Sequence, residues 1–223
     1  MGNQHIISTN INYRSIFNYL KNYGNTPYSS DVKKKKLTAV AALKKLAALC
    51  QQKFGLDKCF IPIEQLKRLS TRTKNYLLAQ MKYSDREYDS ISISIFIEIV
   101  NTKKARYKVS LEINDDADNA AIERYHRHLD FPLNQDAGLI YSADIYSAYN
   151  FEKTEEISMY SHGQIRDDLN AGKFKRIQIV KYIDQQPGQT NEYFEQTILA
   201  SVEAILPYYN HVVGKEAYGQ IIN

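Results

Sequence analysis

The segment from residue 90 to residue 113 constrains the fold more than any other part of the chain. It reads SISISIFIEIVNTKKARYKVSLEI. Apolar residues alternate with mostly polar ones in its first part, SISISIFIEI, and again in its last part, YKVSLEI. A period of two residues is typical of a β-strand that buries one face. The two alternating runs are joined by a short connection of about three residues centred on Thr102, so the segment predicts an antiparallel hairpin over residues 90–113.

The register of this hairpin follows from the need to place apolar residues opposite apolar residues. A slip by one residue would turn every apolar side chain to the polar face, so one alignment is strongly favoured. It pairs residues whose numbers sum to 204. The predicted apolar pairs are Ile91 with Ile113, Ile93 with Leu111, Ile95 with Val109 and Ile97 with Tyr107; the polar face pairs Ser92 with Glu112, Ser94 with Ser110, Phe96 with Lys108 and Glu98 with Arg106.

The remaining periodicities predict helices before and after the hairpin, with a few further strands. Apolar residues at helical spacing predict helices over 12–22, 32–54, 63–81 and about 117–129, and a closing helix over 191–213 that contains Pro207. Strands are predicted near 138–146, 155–160 and 174–184. We expect an α+β protein: a basic helical subdomain (1–84), then an α+β body (85–223) in which the hairpin belongs to a small mixed sheet and a long helix closes the chain.

The net charge of +4 hides a strong asymmetry along the chain. Residues 1–110 contain 20 Lys and Arg against 7 Asp and Glu, whereas residues 111–223 contain 9 against 18. Such a division points to a nucleic-acid or acidic membrane partner for the basic half. Attraction between the two halves of the folded chain would explain it equally well.

The basic residues cluster in two places that suit contact with double-stranded DNA. Lysines bind phosphates as point charges and give affinity without reading sequence, and a two-stranded ribbon with a basic tip can enter the major groove. The residues predicted to contact DNA are Lys33, Lys34, Lys35, Lys36, Lys44, Lys45, Arg68, Arg72 and Lys74 in the N-terminal region, and Lys103, Lys104, Arg106 and Lys108 in the hairpin.

Motifs that would indicate an enzyme are absent from the sequence. Gly172-Lys173 is followed by Phe174, so there is no phosphate-binding loop, and no G-x-S-x-G, H-E-x-x-H or G-x-G-x-x-G stretch occurs. His126 and His128 are two apart on a predicted helix and would point to different sides, so a solvated helix end explains them better than a metal site. The sequence predicts no catalytic residue, no metal ligand and no cofactor.

The cellular location is constrained only by what the chain lacks. No run of about 18 apolar residues is present, so no membrane-spanning segment is predicted. Two cysteines, Cys50 and Cys59, are too few for a disulfide scaffold. We expect reduced thiols and a cytoplasmic protein.

Two other functions are compatible with the same residues. The first is a divergent Mg²⁺-dependent nuclease, in which Asp89, Glu98 and Glu112 would hold the ion, although no Glu-x-Lys pair accompanies them. The second is an assembly module, in which the acidic half of one copy docks on the basic half of another.

The order of elements resembles that of the N-terminal DNA-recognition domains of McrB-type restriction proteins. The resemblance covers about residues 80–213 and is carried by SISISIFIEIVNTKKARYKVSLEI for the central strands and NEYFEQTILASVEAILPYYNHVV for the last helix. It implies a targeting module of a restriction or phage-defence system, whose motor or nuclease lies in another domain or subunit. That family has a Gly-rich, Trp-containing stretch where this chain has KYSDREYDS, so no base-reading residue is carried over.

Overall fold

The computed structural model describes residues 13, 30–61, 76–101, 104–146, 152–157, 159–184 and 188–215. The helices are α1 (Ser30–Phe54), α2 (Asn119–His126), α3 (His162–Asn170) and α4 (Asn191–Val213). The strands are β1 (Lys58–Phe60), β2 (Tyr76–Lys82), β3 (Ile91–Asn101), β4 (Lys104–Ile113), β5 (Ile140–Tyr146), β6 (Glu152–Glu156) and β7 (Arg176–Ile183). Helices and an antiparallel sheet with a long last helix make the α+β class that the sequence predicts.

The sheet is larger and more regular than expected. Its strand order is β1-β2-β3-β4-β7-β5-β6. Strand β7 lies between β4 and β5 and is antiparallel to both, and the remaining neighbours are also antiparallel. The expected small mixed sheet is therefore, within the described strands, a seven-stranded antiparallel sheet.

The central hairpin forms in the predicted register. All eight predicted pairs occur, from Ile91 opposite Ile113 to Glu98 opposite Arg106. The register shifts between Ile99 and Asn101, and β4 begins at Lys104, three positions after the last residue of β3. Asn101 pairs with Lys104, and residues 102 and 103 between them lie outside the described part of the chain.

The apolar face of the sheet forms the core together with α1 and α4. Ile91, Ile93, Ile95 and Ile97 of β3 are fully buried, and α4 covers this face with a stripe that includes Phe194, Ile198, Val202 and Ile205. Helix α1 buries Ala39, Leu43, Leu46 and Cys50 against the same cluster. The described parts on both sides of residue 84 share this core, and a division of the chain at that position stays a prediction.

The remaining elements show where local patterns were insufficient. Residues 76–82 form strand β2 and not the end of a helix over 63–81, because their pairing with β3 outweighs the helical spacing of Leu77 and Met81. Strand β1 and helix α3 were not predicted, and β6 lies a few residues before the predicted 155–160. Residues 62–75 lie outside the described part of the chain, as does the predicted helix 12–22 except for Tyr13, which is helical.

Candidate nucleic-acid interface

Helix α1 separates its apolar residues from some of its lysines. Residues 39, 40, 42, 43, 46, 47 and 50 are buried, which is the helical spacing of a single core-facing stripe. Lys44 and Lys45 fall outside that stripe and are exposed. Two predicted DNA contacts therefore lie on the solvent side of a helix that the core holds in place.

Carboxylates of α4 already neutralise part of this charge. Lys45 Nζ lies 2.6 Å from Glu195 Oε1, and Lys53 Nζ lies 2.8 Å from Glu203 Oε2. The two lysine side chains are 42% and 43% exposed, so water still reaches each ion pair. Exposed ion pairs of this kind contribute about 0.2–1 kcal/mol, which is small enough for a competing anion to break them.

The two ion pairs form a ladder between the helices. Lys45 and Lys53 are eight residues apart, as are Glu195 and Glu203, and a helix rises about 12 Å over that distance. Both partners advance in the same direction along the chain, so α1 and α4 run roughly parallel where they touch. Tyr13 Oη donates a hydrogen bond of 2.8 Å to Glu195 Oε1 and so helps to hold the first rung in place.

Arg106 of the hairpin is engaged within the protein. Its Nε donates a 2.7 Å hydrogen bond to Glu98 Oε2, and its guanidinium carbon lies 3.4 Å from the centre of the Tyr182 ring. The cross-strand partner is the one that the register predicts. With 25% of the side chain exposed, Arg106 has its planar donor face stacked on an aromatic ring and one edge taken by a carboxylate.

Lys108 is still less available. Its Nζ lies 3.4 Å from Glu112 Oε1, 3.8 Å from Glu98 Oε1 and 4.0 Å from the centre of the Phe96 ring, and only 12% of the side chain is exposed. Burial acts to lower the pKa of Lys108, but the two carboxylates outweigh it and raise that pKa. That Arg106 and Lys108 touch DNA stays a prediction, but internal carboxylates already neutralise both charges and leave them less available to phosphate than the exposed lysines of α1.

The other predicted contacts can be located only in part. Lys33, Lys34, Lys35 and Lys36 lie in the first two turns of α1, and Lys104 is the first residue of β4. Arg68, Arg72, Lys74 and Lys103 lie outside the described residues. The described part of the candidate interface therefore consists of the lysines of α1 and Lys104 at the start of β4.

The serine-lined face of the hairpin is a buried polar layer centred on Glu112. Ser92, Ser94 and Ser110 are fully buried. Glu112 accepts a 2.5 Å hydrogen bond from Ser110 Oγ and a 2.7 Å hydrogen bond from Gln178 Nε2 of β7, in addition to its contact with Lys108. Sequence reasoning missed Gln178, because β7 could not be placed beside β4 from local patterns.

The carboxylates of the nuclease alternative are also engaged with cations or donors. Asp89 Oδ1 lies 2.6 Å from Arg124 Nη2 and accepts the backbone N–H of Ile91. Glu98 pairs with Arg106, and Glu112 belongs to the polar layer. No group of three or more His, Cys, Asp or Glu among the described residues is placed to hold a metal ion.

The histidines near residue 127 are not a solvated helix end. His128 is fully buried in a 3₁₀ turn, Arg127–Asp130, and its Nδ1 lies 2.7 Å from the carbonyl oxygen of Tyr125. Burial lowers the pKa of His128 to about 3, and burial together with the nearby Arg176 lowers that of His126 to about 4. Both histidines are therefore neutral in the folded protein at neutral pH, which corrects the interpretation drawn from their spacing.

Comparison with known proteins gives no further guide to the site. No family model matches the chain, and no curated protein and no solved structure is significantly similar to it. None of the described helices combines the length and the apolar character that crossing a membrane requires. The candidate interface must therefore be judged on its own geometry and charge.

Proposed function

We propose that this protein binds double-stranded DNA through the lysines of α1 together with the basic tip of the hairpin. The observation that carries the proposal is that Lys44, Lys45 and Lys53 lie on a helix held by the core and are exposed to water. Seven lysines and a single acidic residue occupy Ser30–Phe54. A rigid row of lysines suits contact with a row of phosphates, and such contact adds affinity with each counterion released.

The proposed contact set is smaller than the predicted one. It retains Lys33 to Lys36, Lys44, Lys45, Arg68, Arg72, Lys74, Lys103 and Lys104, and it adds Lys53. It omits Arg106 and Lys108, whose charges are neutralised by Glu98 and Glu112. Lysine dominates this set, so we expect binding to depend strongly on salt and weakly on base sequence.

The biological setting is part of the same proposal. A targeting module of a restriction or phage-defence system fits a DNA-binding chain with no phosphate-binding loop, as the resemblance to McrB-type recognition domains implies. In that setting a motor or nuclease in another domain or subunit would be its partner, and the protein would act in the cytoplasm.

The experiment is a salt titration of binding to a short fluorescent DNA duplex, followed by anisotropy. The test variant carries Lys44→Gln, Lys45→Gln and Lys53→Gln. The control carries Lys173→Gln, Lys175→Gln and Lys215→Gln, which remove the same charge from exposed or half-exposed positions outside α1. We expect the test variant to lose affinity and the slope of log K against log salt to become shallower by up to about 0.9 per lost contact.

Two results would contradict the proposal. Affinity of the unmodified chain that stays constant between about 50 and 200 mM salt would exclude phosphate contact as its basis. Equal losses in the test and control variants would show that only net charge matters and that α1 is not the interface.

A further inference from the structure

We infer that Glu203 of α4 acts as an internal competitor of DNA phosphate for Lys53, so that the α1–α4 ion ladder limits the affinity of the interface. The inference rests on the proposed function and concerns the regulation of the same site. Its starting point is that the acceptor of Lys53 is a carboxylate of the same chain, 2.8 Å away.

The two rungs of the ladder differ in how firmly the carboxylate is held. Glu195 is 14% exposed and accepts hydrogen bonds from both Lys45 and Tyr13, so it is fixed between two donors. Glu203 is 59% exposed, and among the described residues its carboxylate has one donor, Lys53 Nζ. The Lys53–Glu203 rung is therefore the one that can open without disturbing the core.

Opening this rung exchanges one anion for another at the same ammonium group. Lys53 also lies with its Nζ 5.1 Å from the centre of the Phe54 ring, which keeps the side chain near the last turn of α1. A phosphate that binds there must displace the Glu203 carboxylate, which returns to water and regains a counterion. Binding at this lysine thus releases fewer ions than binding at a lysine without an acidic partner.

The matched pair of variants is Glu203→Gln and Glu192→Gln. Both remove one negative charge from exposed positions of α4, so the net charge changes equally. Among the described residues no ion pair joins Glu192 to α1, whereas Glu203 is paired with Lys53. Any difference in DNA affinity between the two variants therefore reports the direct contact between Glu203 and Lys53.

The experiment measures the affinity of the full chain for the same DNA duplex at low salt, with both variants and with each in a Lys53→Gln background. We expect Glu203→Gln to bind about twofold more tightly than Glu192→Gln. Its salt dependence should also be steeper by up to about one phosphate contact. Both differences should vanish in the Lys53→Gln background, because the ammonium group for which Glu203 and phosphate compete is then absent.

The possible failures are distinguishable. If the unmodified chain binds DNA with the expected salt dependence but the two variants bind equally well, the competition is excluded and the proposed function stands. If the gain persists in the Lys53→Gln background, the effect does not pass through this rung and the inference is wrong. If the unmodified chain shows no salt-dependent binding, the proposed function fails and this inference fails with it.

Discussion

The basic residues of the hairpin and those of α1 have the same charge but very different environments. Arg106 and Lys108 lie on the polar face of the sheet, where Glu98 and Glu112 are within 2.7–3.8 Å and the side chains are at most one quarter exposed. Lys45 and Lys53 also have carboxylate partners, yet more than 40% of each side chain remains exposed. A positive charge is available to a partner only where water can still reach it.

The difference arises from the geometry of the two elements. Side chains on a sheet face stand beside neighbours from two adjacent strands, so Lys108 meets acids from both β3 and β4 together with an aromatic ring. A helix turns its side chains outward, and a partner approaches from one side only. Charge density along a sequence therefore overestimates the binding surface of strands more than that of helices.

The largest expected effect comes from removing the buried cation of the hairpin. Lys108→Met leaves Glu112 and Glu98 without the ammonium group between them, and breaking a buried ion pair on one side costs about 3–5 kcal/mol. We expect the free energy of unfolding, measured with urea at neutral pH, to fall by about 3 kcal/mol.

The matched control is Lys44→Met on the exposed side of α1. Its stability should stay within about 0.5 kcal/mol of the unmodified protein. If both variants lose the same stability, the contrast between hairpin and helix is not real.

A second test uses His128, which is buried and whose ring nitrogens meet no carboxylate among the described residues. Because the folded-state pKa of His128 lies at about 3, below the ordinary 6.5, the unfolded chain binds a proton that the folded chain excludes in that interval. Stability is thus retained above pH 6.5 and lost as pH falls. We expect a loss of about 2 kcal/mol from this histidine between pH 7 and pH 5.

The measurement compares urea unfolding at pH 7 and pH 5 in the unmodified protein and in His128→Gln. The substitution should reduce the difference between the free energies of unfolding at pH 7 and pH 5, even if it also changes stability at pH 7. An unchanged pH dependence would mean that His128 titrates normally in the folded state.

A smaller loss of stability is expected when the hydrogen bond from Tyr13 to Glu195 is removed. Tyr13→Phe removes the hydroxyl that donates to Glu195 while the ring stays packed between Tyr107 and Phe194. The expected loss is about 1 kcal/mol in thermal or urea unfolding. A loss several times larger would indicate that the tyrosine hydroxyl has a further role in the core.

The smallest effect should come from the exposed rung. Glu203→Gln breaks one half-exposed ion pair, and such pairs contribute about 0.2–1 kcal/mol. We expect less than about 0.5 kcal/mol of destabilisation, measured beside Glu192→Gln as the control. A large loss would show that this pair fastens α4 to α1 rather than competing for DNA.

The sequence predicts those parts of the fold whose pattern is local and repetitive. The alternation in SISISIFIEI and YKVSLEI is sufficient to give the hairpin register, and the apolar stripe of residues 191–213 gives the bounds of α4. Strand β2 was predicted as helix because Leu77 and Met81 are four residues apart, and only the pairing with β3 identifies it as a strand.

Of the candidate site, the sequence could predict only where the basic residues are concentrated. That α1 carries exposed lysines follows from its pattern, but the ion pairs with α4 join residues 150 positions apart. The burial of Lys108 follows in part from the register, which places Ser92 beside Glu112 and Lys108 beside Phe96. The link to Gln178 depends on β7 lying next to β4, and no local signal indicates that neighbour.

The most direct test of the account is lysine acylation of the folded protein, with and without a DNA duplex, read by mass spectrometry. We predict that Lys44, Lys45 and Lys53 are modified rapidly without DNA and are protected by it, while Lys108 stays unmodified in both samples. Modification of Lys108 as rapid as that of Lys44, or no protection of the α1 lysines by DNA, would contradict the claim that α1, and not the hairpin face, presents the available charge.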